Sequence, residues 1–581
     1  MRKAKERVLT RFERLLGEPK VILAILGLVF IIALPLRIQN IKLAGYISDD
    51  AWWHYRQIKE IIDTGRRLNP DIYEFTTLKR PMTYAPLFHY LVAYSYKPFA
   101  KLLPFIRFTH YCNVIEGLLY ILLIFLISRI ISDESSWSLI GALSGAVSFG
   151  LIIRARAGEL MALVPSDLLA LLGIFVFLKM AKAMSNEENF HLSLNYIFTT
   201  VISGFLLGLS LLSWSGAVFI YLPLFIFIFF ALMLANPKLT KASLILLFIC
   251  ITVAIVSCAS WYLPLVLKYG LNPHTKEMEW FMQGFTVLHQ VKPLGFYIFS
   301  TGIAIFFIPL VFLQNLARRD ALNLFFLFWI ILAGIATWTG WRGYIAVVPI
   351  VACIAISVGL ARIVNYLFRN KPQYIPWVFS LLFLIMGAAG YHISASKLSP
   401  LNPNDVNEVR FNQKSAKMLN FIRENYPNAI TVDHISWVSE DEAMGKCRMV
   451  NGQYLEYLPK GSSQAFIDVS KIYFSEEEEA FKICKKYNVD LIIARKHFLQ
   501  LPQLSILFAP KELKSEDYLK VVKEAPTSDK ITVSFAPQGI KSLFFRMINR
   551  QTLKYFDLVY QDAEQSDNIP NLVVYKVKKT P

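Results

Sequence analysis

Charge is in short supply across these 581 residues: only 18% are charged, and acidic side chains, 42 in all, are well outnumbered by 60 Lys and Arg. With 55% apolar residues and a mean hydropathy of +0.44, the chain is neither disordered nor a disulfide scaffold, and an ordinary soluble enzyme is disfavoured. Cysteine is rare too. Six are present, four of them within apolar segments, and none is spaced for zinc or a disulfide framework. Cys447 and Cys484 could pair if their region faces an oxidising space, which sequence alone leaves open. No phosphate-binding glycine loop and no nucleophilic Ser/Cys–His arrangement stands out, so ATP-driven transport and covalent hydrolysis find no support.

What the chain has in abundance is long apolar runs. Eleven of them, at roughly 21–38, 113–132, 137–153, 163–182, 195–213, 215–235, 243–266, 294–315, 322–340, 344–364 and 375–393, have about the length needed to cross a ~30 Å hydrocarbon core. The first lacks the small-residue cleavage site of a secretory signal. Charge rises from about residue 394, where β-rich pieces (429–432, 491–493, 572–575) alternate with helical ones. The expected architecture is therefore a polytopic α-helical membrane protein of about 11–13 spans over residues 1–393, with a soluble α/β domain over 394–581.

A net charge of +18 suits nucleic acid or basic cytoplasmic loops, and the spans favour loops. Seven basic and three acidic residues in the first twenty place the N-terminus in the cytoplasm. Alternation from there puts Lys179, Lys182, Lys238, Lys241, Arg318, Arg319, Arg369 and Lys371 at inner turns. Loops 40–112 and 267–293, the stretch Arg154–Glu159, Arg342 and the C-terminal domain then fall outside, which predicts an extracytoplasmic reaction centre.

The sharpest motif is Ser48-Asp49-Asp50-Ala51-Trp52-Trp53-His54-Tyr55-Arg56, directly after the first run. Adjacent carboxylates are costly to hold together unless a cation shares them, and hard oxygen ligands suit Mg²⁺ or Mn²⁺ with phosphate oxygens completing the shell. Trp52 and Trp53 fit the headgroup-level aromatic belt. Equally, the segment reads as a solvated turn before an amphipathic helix over 52–62. Ser475 followed by Glu476–Glu479 reads as a capping box with dipole-complementing acids, not as a catalytic cluster.

This motif resembles the first acidic motif of oligosaccharyltransferase catalytic subunits of the single-subunit archaeal and bacterial type. Three later stretches agree in order: Arg154-Ala155-Arg156-Ala157-Gly158, Trp341-Arg342-Gly343-Tyr344, and Asp468-Val469-Ser470-Lys471 with the acidic helix that follows. The resemblance spans residues 40 to about 495. It implies an inverting GT-C membrane glycosyltransferase with thirteen helices, a divalent cation, a polyprenyl-linked glycan donor, an acceptor protein or peptide, and no nucleic acid. Asp50 takes the place of the catalytic, metal-binding carboxylate, with Asp49 beside it. Arg342 would offer a donor fork to phosphate, or else be a snorkelling interfacial arginine.

The sequence departs from that pattern at three places. Met161 and Leu163 stand where the second acidic motif belongs, leaving Glu159 and Asp167 as the nearest candidate ligands. Glu159 could equally be an interfacial partner of Arg154 or Arg156. In loop 267–293, His289 occupies the place of an acceptor-contacting glutamate, with Glu277 and Glu279 nearby. The acceptor element reads Ser436-Trp437-Val438-Ser439-Glu440: Trp437 remains, as a pocket aromatic or a core residue, and Ser439 replaces an aspartate that Glu440 or Asp441 could substitute. The resemblance adds Asp468 and Lys471 on the acceptor side. Glycan transfer from a polyprenyl-(pyro)phosphate carrier to asparagine is the leading expectation. Transfer of a single sugar to another acceptor is the alternative, and a non-catalytic paralogue is a third reading.

Overall fold

The computed structural model describes residues 18–185, 192–269, 294–318, 320–338, 343–398, 413–434, 437–452, 458–495, 515–523, 531–562 and 572–580. Among the described residues, each expected apolar run is mainly helical. Eight helices among the described residues are long and apolar enough to cross a membrane: Pro19–Ile38, Phe105–Ser132, Leu163–Ser185, Leu194–Ser213, Ala217–Ala235, and those within 237–268, 347–367 and 375–396. The chain is a multi-pass membrane protein. Run 137–153 is split, with helix Ser135–Val147 ending at the extended backbone of Ser148 before the short Phe149–Ile152 turn. Run 294–315 is interrupted after Leu294–Thr301 at Gly302, whose φ of +64° takes it out of the right-handed helical region. The expected outer loop 40–112 is shorter than the sequence suggested, because it contains helix Leu87–Tyr96 and the next span begins at Phe105.

Two compact units result. One comprises residues 1–44, 85–264 and 289–400; the other comprises 45–84, 265–288 and 401–581. The first is the helical membrane unit. Its helices approach closely at small residues, as expected where lipid offers no hydrophobic gain for association. A Cβ on Gly141 would lie 2.0 Å from Ser357 Oγ and 2.7 Å from the Cys353 carbonyl, and one on Gly204 would lie 2.5 Å from the Cys250 carbonyl.

The second unit is built on five strands: β1 Ile430–Val432, β2 Arg448–Met449, β3 Leu491–Arg495, β6 Phe556–Gln561 and β7 Leu572–Val577, in the order β2-β1-β3-β7-β6. The β1 pairings are parallel, and β7 runs antiparallel to β3 and β6. The strands β4 Leu519–Lys523 and β5 Ile531–Phe535 form a separate hairpin. Residues 45–84 complete this unit from a distant part of the sequence. Met449 N donates to the Tyr73 carbonyl at 2.7 Å and Thr76 N to the Met449 carbonyl at 3.0 Å, so residues 73–76 run along β2. Phe75, fully buried, enters the core edge-on to Phe466. Gly452 makes the room, since a Cβ there would meet the Phe75 ring at 2.6 Å.

One local expectation is corrected here, and one point that the sequence left open is answered. Ser475 caps the C-terminus of helix Ser462–Phe474 and forms no capping box; Glu477 in the following helix instead accepts from Arg546 and from the Tyr555 backbone N–H. Cys447 and Cys484 are both buried and both free.

Candidate functional site

The helix after the first span covers Asp49–Thr64, with Ser48 at its N-cap and Gly65 closing it in the left-handed region at φ 82°. It begins three residues before the amphipathic segment read from sequence, so positions 49 and 50 fall in its first turn. Backbone N–H groups there lack helical partners and the dipole end is positive, a setting that favours negative charge. Asp50 is half-buried. Trp52 and Trp53 are not the headgroup-exposed pair that sequence suggested. Each is 1% exposed; Trp52 packs edge-on to Tyr46 and Tyr55, and Trp53 packs against Tyr84 and His54. Burial, reinforced by the charge of Arg67, pushes His54 down to about 3, so it is neutral at physiological pH.

Six residues along from Asp50, Arg56 is buried. Its guanidinium donates in a two-pronged fork to Asp71, at 2.9 and 2.7 Å, and its Nη2 also lies 3.1 Å from Glu442 Oε2. The fork lies over the ring of Tyr73, while Gln57 donates to the same Asp71. Burial alone would raise the Asp71 carboxyl, but Arg56's charge and hydrogen bonds outweigh it and hold Asp71 below the usual carboxylate range. Glu442 is pushed well above its ordinary value, first by burial, with Glu74 and Asp71 adding to the effect against the charge of Arg56.

The expected acceptor segment ends at Glu440, two residues before Glu442. Trp437, Ser439 and Glu440 are all buried, and the Val438–Glu440 turn packs against the Asp49–Thr64 helix. A second arginine pins the segment at both ends. Arg495 on β3 donates to Asp433 through Nε and to Asp441 through Nη2, both at 2.8 Å, and its guanidinium lies 5.0 Å from the centre of the Trp437 ring. Burial, then the neighbouring Asp433 charge, lifts Asp441 well above the carboxylate range in spite of Arg495. Asp468 is engaged by three donors, Gln464 at 2.7 Å, Lys486 at 2.6 Å and Tyr487 at 2.8 Å, and ties its helix to Glu477–Tyr487. Lys471, one turn on, is half-buried.

In the membrane unit, the Arg154–Glu159 stretch is held by the end of the first span. Arg37, fully buried, donates to the Ala146 carbonyl at 2.9 Å and the Gly145 carbonyl at 3.3 Å, and its own carbonyl accepts from Ala157 N at 2.8 Å. Gly117 permits this approach, because a Cβ there would strike Arg37 Nε at 2.6 Å and the Ala155 carbonyl at 2.7 Å. Gly158 takes a φ of +93°, and Glu159 follows it, buried, with Arg156 Nη2 at 3.8 Å and Asn113 donating to its backbone carbonyl. Asp167 lies within helix Leu163–Ser185 and accepts from the Tyr120 hydroxyl at 2.6 Å.

Arg342 and His289 lie outside the described residues, as do Glu277 and Glu279. Among the described residues no three His, Cys, Asp or Glu side chains gather as a metal site, so the structure gives no donor set that fits the expected Mn²⁺ or Mg²⁺. Arg56, Asp71, Glu442, Asp441 and Arg495 were not singled out from sequence as a network. Arg56 stood within the quoted motif, and a buried role was foreshadowed only by an arginine on the apolar-rich face of an amphipathic helix.

Residues 39–269 match the family model described as oligosaccharyl transferase STT3, N-terminal. No curated protein matches the sequence. Among solved structures, the chain is similar to the archaeal oligosaccharyltransferase AglB from Archaeoglobus fulgidus in complex with an inhibitory peptide and a dolichol-phosphate. The identity is 14%, with 94% of this chain and 80% of that chain covered and a TM-score of 0.72. It resembles the Archaeoglobus fulgidus oligosaccharyltransferase tethered to an acceptor peptide containing an NVT sequon at 14% identity, covering 96% of this chain and 89% of that chain, with a TM-score of 0.72. The complex of that enzyme with Zn and sulfate gives 16% identity, 93% and 79% coverage, and a TM-score of 0.66. The resemblance read from the motifs is borne out, and so is the expected architecture of membrane helices followed by a C-terminal α/β region.

Proposed function

We propose, on the premise that residues 39–269 are an STT3-type N-terminal domain, that this protein is a glycosyltransferase that moves a glycan from a polyprenyl-(pyro)phosphate carrier to asparagine of proteins on the extracytoplasmic face. The observation that carries this reading is local. The helix that begins at Asp49 and Asp50 packs against the turn that holds Trp437, Ser439 and Glu440, the segment expected to meet the acceptor. The dolichol-phosphate and NVT peptide of the structural relatives support the donor and acceptor classes.

In this mechanism Asp50 accepts a hydrogen bond from the acceptor amide and orients a weak nucleophile for attack on the anomeric carbon. The amide nitrogen–carbon bond forms as the carbon–oxygen bond to phosphate breaks. The amide nitrogen gives up a proton to the Asp50 carboxylate, and the leaving phosphate takes the bonding pair of the broken carbon–oxygen bond. Arg342 is assigned to the phosphate oxygens as a charged donor. A Mn²⁺ or Mg²⁺ ion, the cation class expected from the sequence, would be held by carboxylates such as Asp50 and Asp49 and would neutralise charge on the departing phosphate. The orientation is an N-terminus in the cytoplasm, with residues 45–84, which carry Asp50, and the C-terminal residues from 394 on the outer side.

Ser439 in place of an aspartate, buried in the turn, favours a second reading: transfer of a single sugar to another acceptor. Purified protein incubated with Mn²⁺, host lipid extract and an Asn-x-Thr peptide tests both, read by intact mass with Asp50→Ala beside it. A glycan-sized gain that the variant loses supports asparagine transfer. No gain, with a competent donor and a positive control, moves the weight to the second reading.

A further inference from the structure

The carboxyl-bearing helix and the acceptor segment come from sequence positions nearly four hundred residues apart, yet one side chain touches structures from both. Arg56 sits two turns along the helix from Asp50, and its fork closes on Asp71 within the same early segment. That leaves Nη2 shared with Glu442, the second residue of the turn Asp441–Gly445, which follows Val438–Glu440 directly. The neighbouring Asp441 is held by Arg495 from β3. In the consecutive pair Asp441-Glu442, Asp441 thus accepts from Arg495 on the sheet, while Glu442 forms an ion pair with Arg56 on the Asp50 helix.

Buried charge of this kind is expensive, and replacing such a set by apolar side chains is often neutral or stabilising. Fixed geometry is the benefit that a planar, forked guanidinium supplies and a hydrophobic contact does not. All three side chains are at most 6% exposed, so solvent does not soften the link.

We propose that Arg56 and Glu442 are positioning residues that fix the Asp50 helix against the Trp437–Glu440 segment, so that the acceptor amide and the Asp50 carboxylate meet in register. This rests on the transferase reading above. Neither residue touches substrate. Both act through the helix and the turn they join, so their loss lowers turnover while the acceptor segment, still pinned by Arg495, keeps its affinity.

The test uses full-length protein in detergent with Arg56→Met, Glu442→Leu, the double variant and Arg56→Lys. The measurements are kcat and KM for the Asn-x-Thr peptide, together with thermal unfolding. A misplacement on the order of 1 Å costs about 100-fold. Each single variant is therefore expected to lose about 100-fold in kcat with peptide KM within about threefold of wild type. The double variant is expected to lose no more than either single one, and Arg56→Lys to recover part of the loss. Wild-type kcat in folded Glu442→Leu, which leaves the Arg56–Asp71 fork intact, overturns the proposal even if Arg56→Met does not fold. So do a lowered unfolding temperature with unchanged kcat and additive losses in the double variant. An inactive wild type with a competent donor strikes the transferase reading instead.

Discussion

Close approach at glycine marks helix contacts in the membrane unit, whereas clustered arginine–carboxylate contacts mark the unit that contains the C-terminal sheet. At Gly141 and Gly204 neighbouring helices come so near that a single methyl would overlap a hydroxyl or a carbonyl. In the other unit Arg56, Arg80 and Arg495 lie buried among Asp71, Glu74, Asp433, Asp441 and Glu442. The membrane unit has no water to exclude, so close van der Waals approach holds it. The sheet-containing unit has apolar burial to spare and spends some of its interior on charge. The difference separates a scaffold that needs proximity from one that needs fixed directions, and the fixed directions are found beside Asp50.

The sharpest break in that comparison is chemical. Asp50→Ala is expected to abolish glycan transfer while leaving the unfolding transition near wild type, since Asp50 is only half-buried; turnover by intact mass checks it. Next in size, Arg495→Met leaves Asp433 and Asp441 facing each other without their shared cation. Breaking a buried pair costs about 3–5 kcal/mol, to be read by thermal or denaturant unfolding. In the membrane unit, Gly141→Ala overpacks the contact with Ser357 and Cys353 and should cost about 1–3 kcal/mol without altering the pH profile.

A subtler contrast lies in pH. Asp441 ionises near its ordinary 3.8 when unfolded but keeps its proton to higher pH when folded, so its contribution to stability is fully present below that value and is lost as pH rises toward the raised folded value. Asp71 behaves oppositely, contributing above its ordinary value and losing that contribution as pH falls. Asp441→Asn should therefore flatten the decline of unfolding temperature with rising pH, and an unchanged slope would assign that decline elsewhere. The smallest effect concerns the two acidic residues that stand near the place of the second acidic motif. Glu159→Gln is expected to weaken Mn²⁺ dependence more than Asp167→Asn, because Asp167 is already held by Tyr120 inside a span; a metal titration after chelation ranks the two.

Sequence made the helices legible because apolar length is a local signal, and strands β1, β3 and β7 because β-branched runs are local too. Helix breaks at Ser148 and Gly302 were missed, since neither interrupts hydropathy. The site was readable only in part. Motif spacing marked Asp50 and Trp437, but nothing within a window of ten or twenty residues says that Tyr73 will run beside Met449 or that Arg56 will reach Glu442. Trp52 and Trp53 show the same limit. Their amphipathic character fits a membrane surface and a protein interior equally well, and only the distant partner decides.

Phe75 gives this architecture a history as well as a shape. The plug and the strip of backbone around it leave the ribosome early, whereas the core that receives them begins roughly 300 residues later. At about 5–20 residues per second the wait is on the order of tens of seconds, and every intervening span must be placed meanwhile. A C-terminal fragment made alone would present β2 as an open edge with a vacant socket at Gly452. The unit is thus a clasp that closes only when the chain is nearly finished, and the carboxylate it positions is the first part to be made and among the last to be set in place.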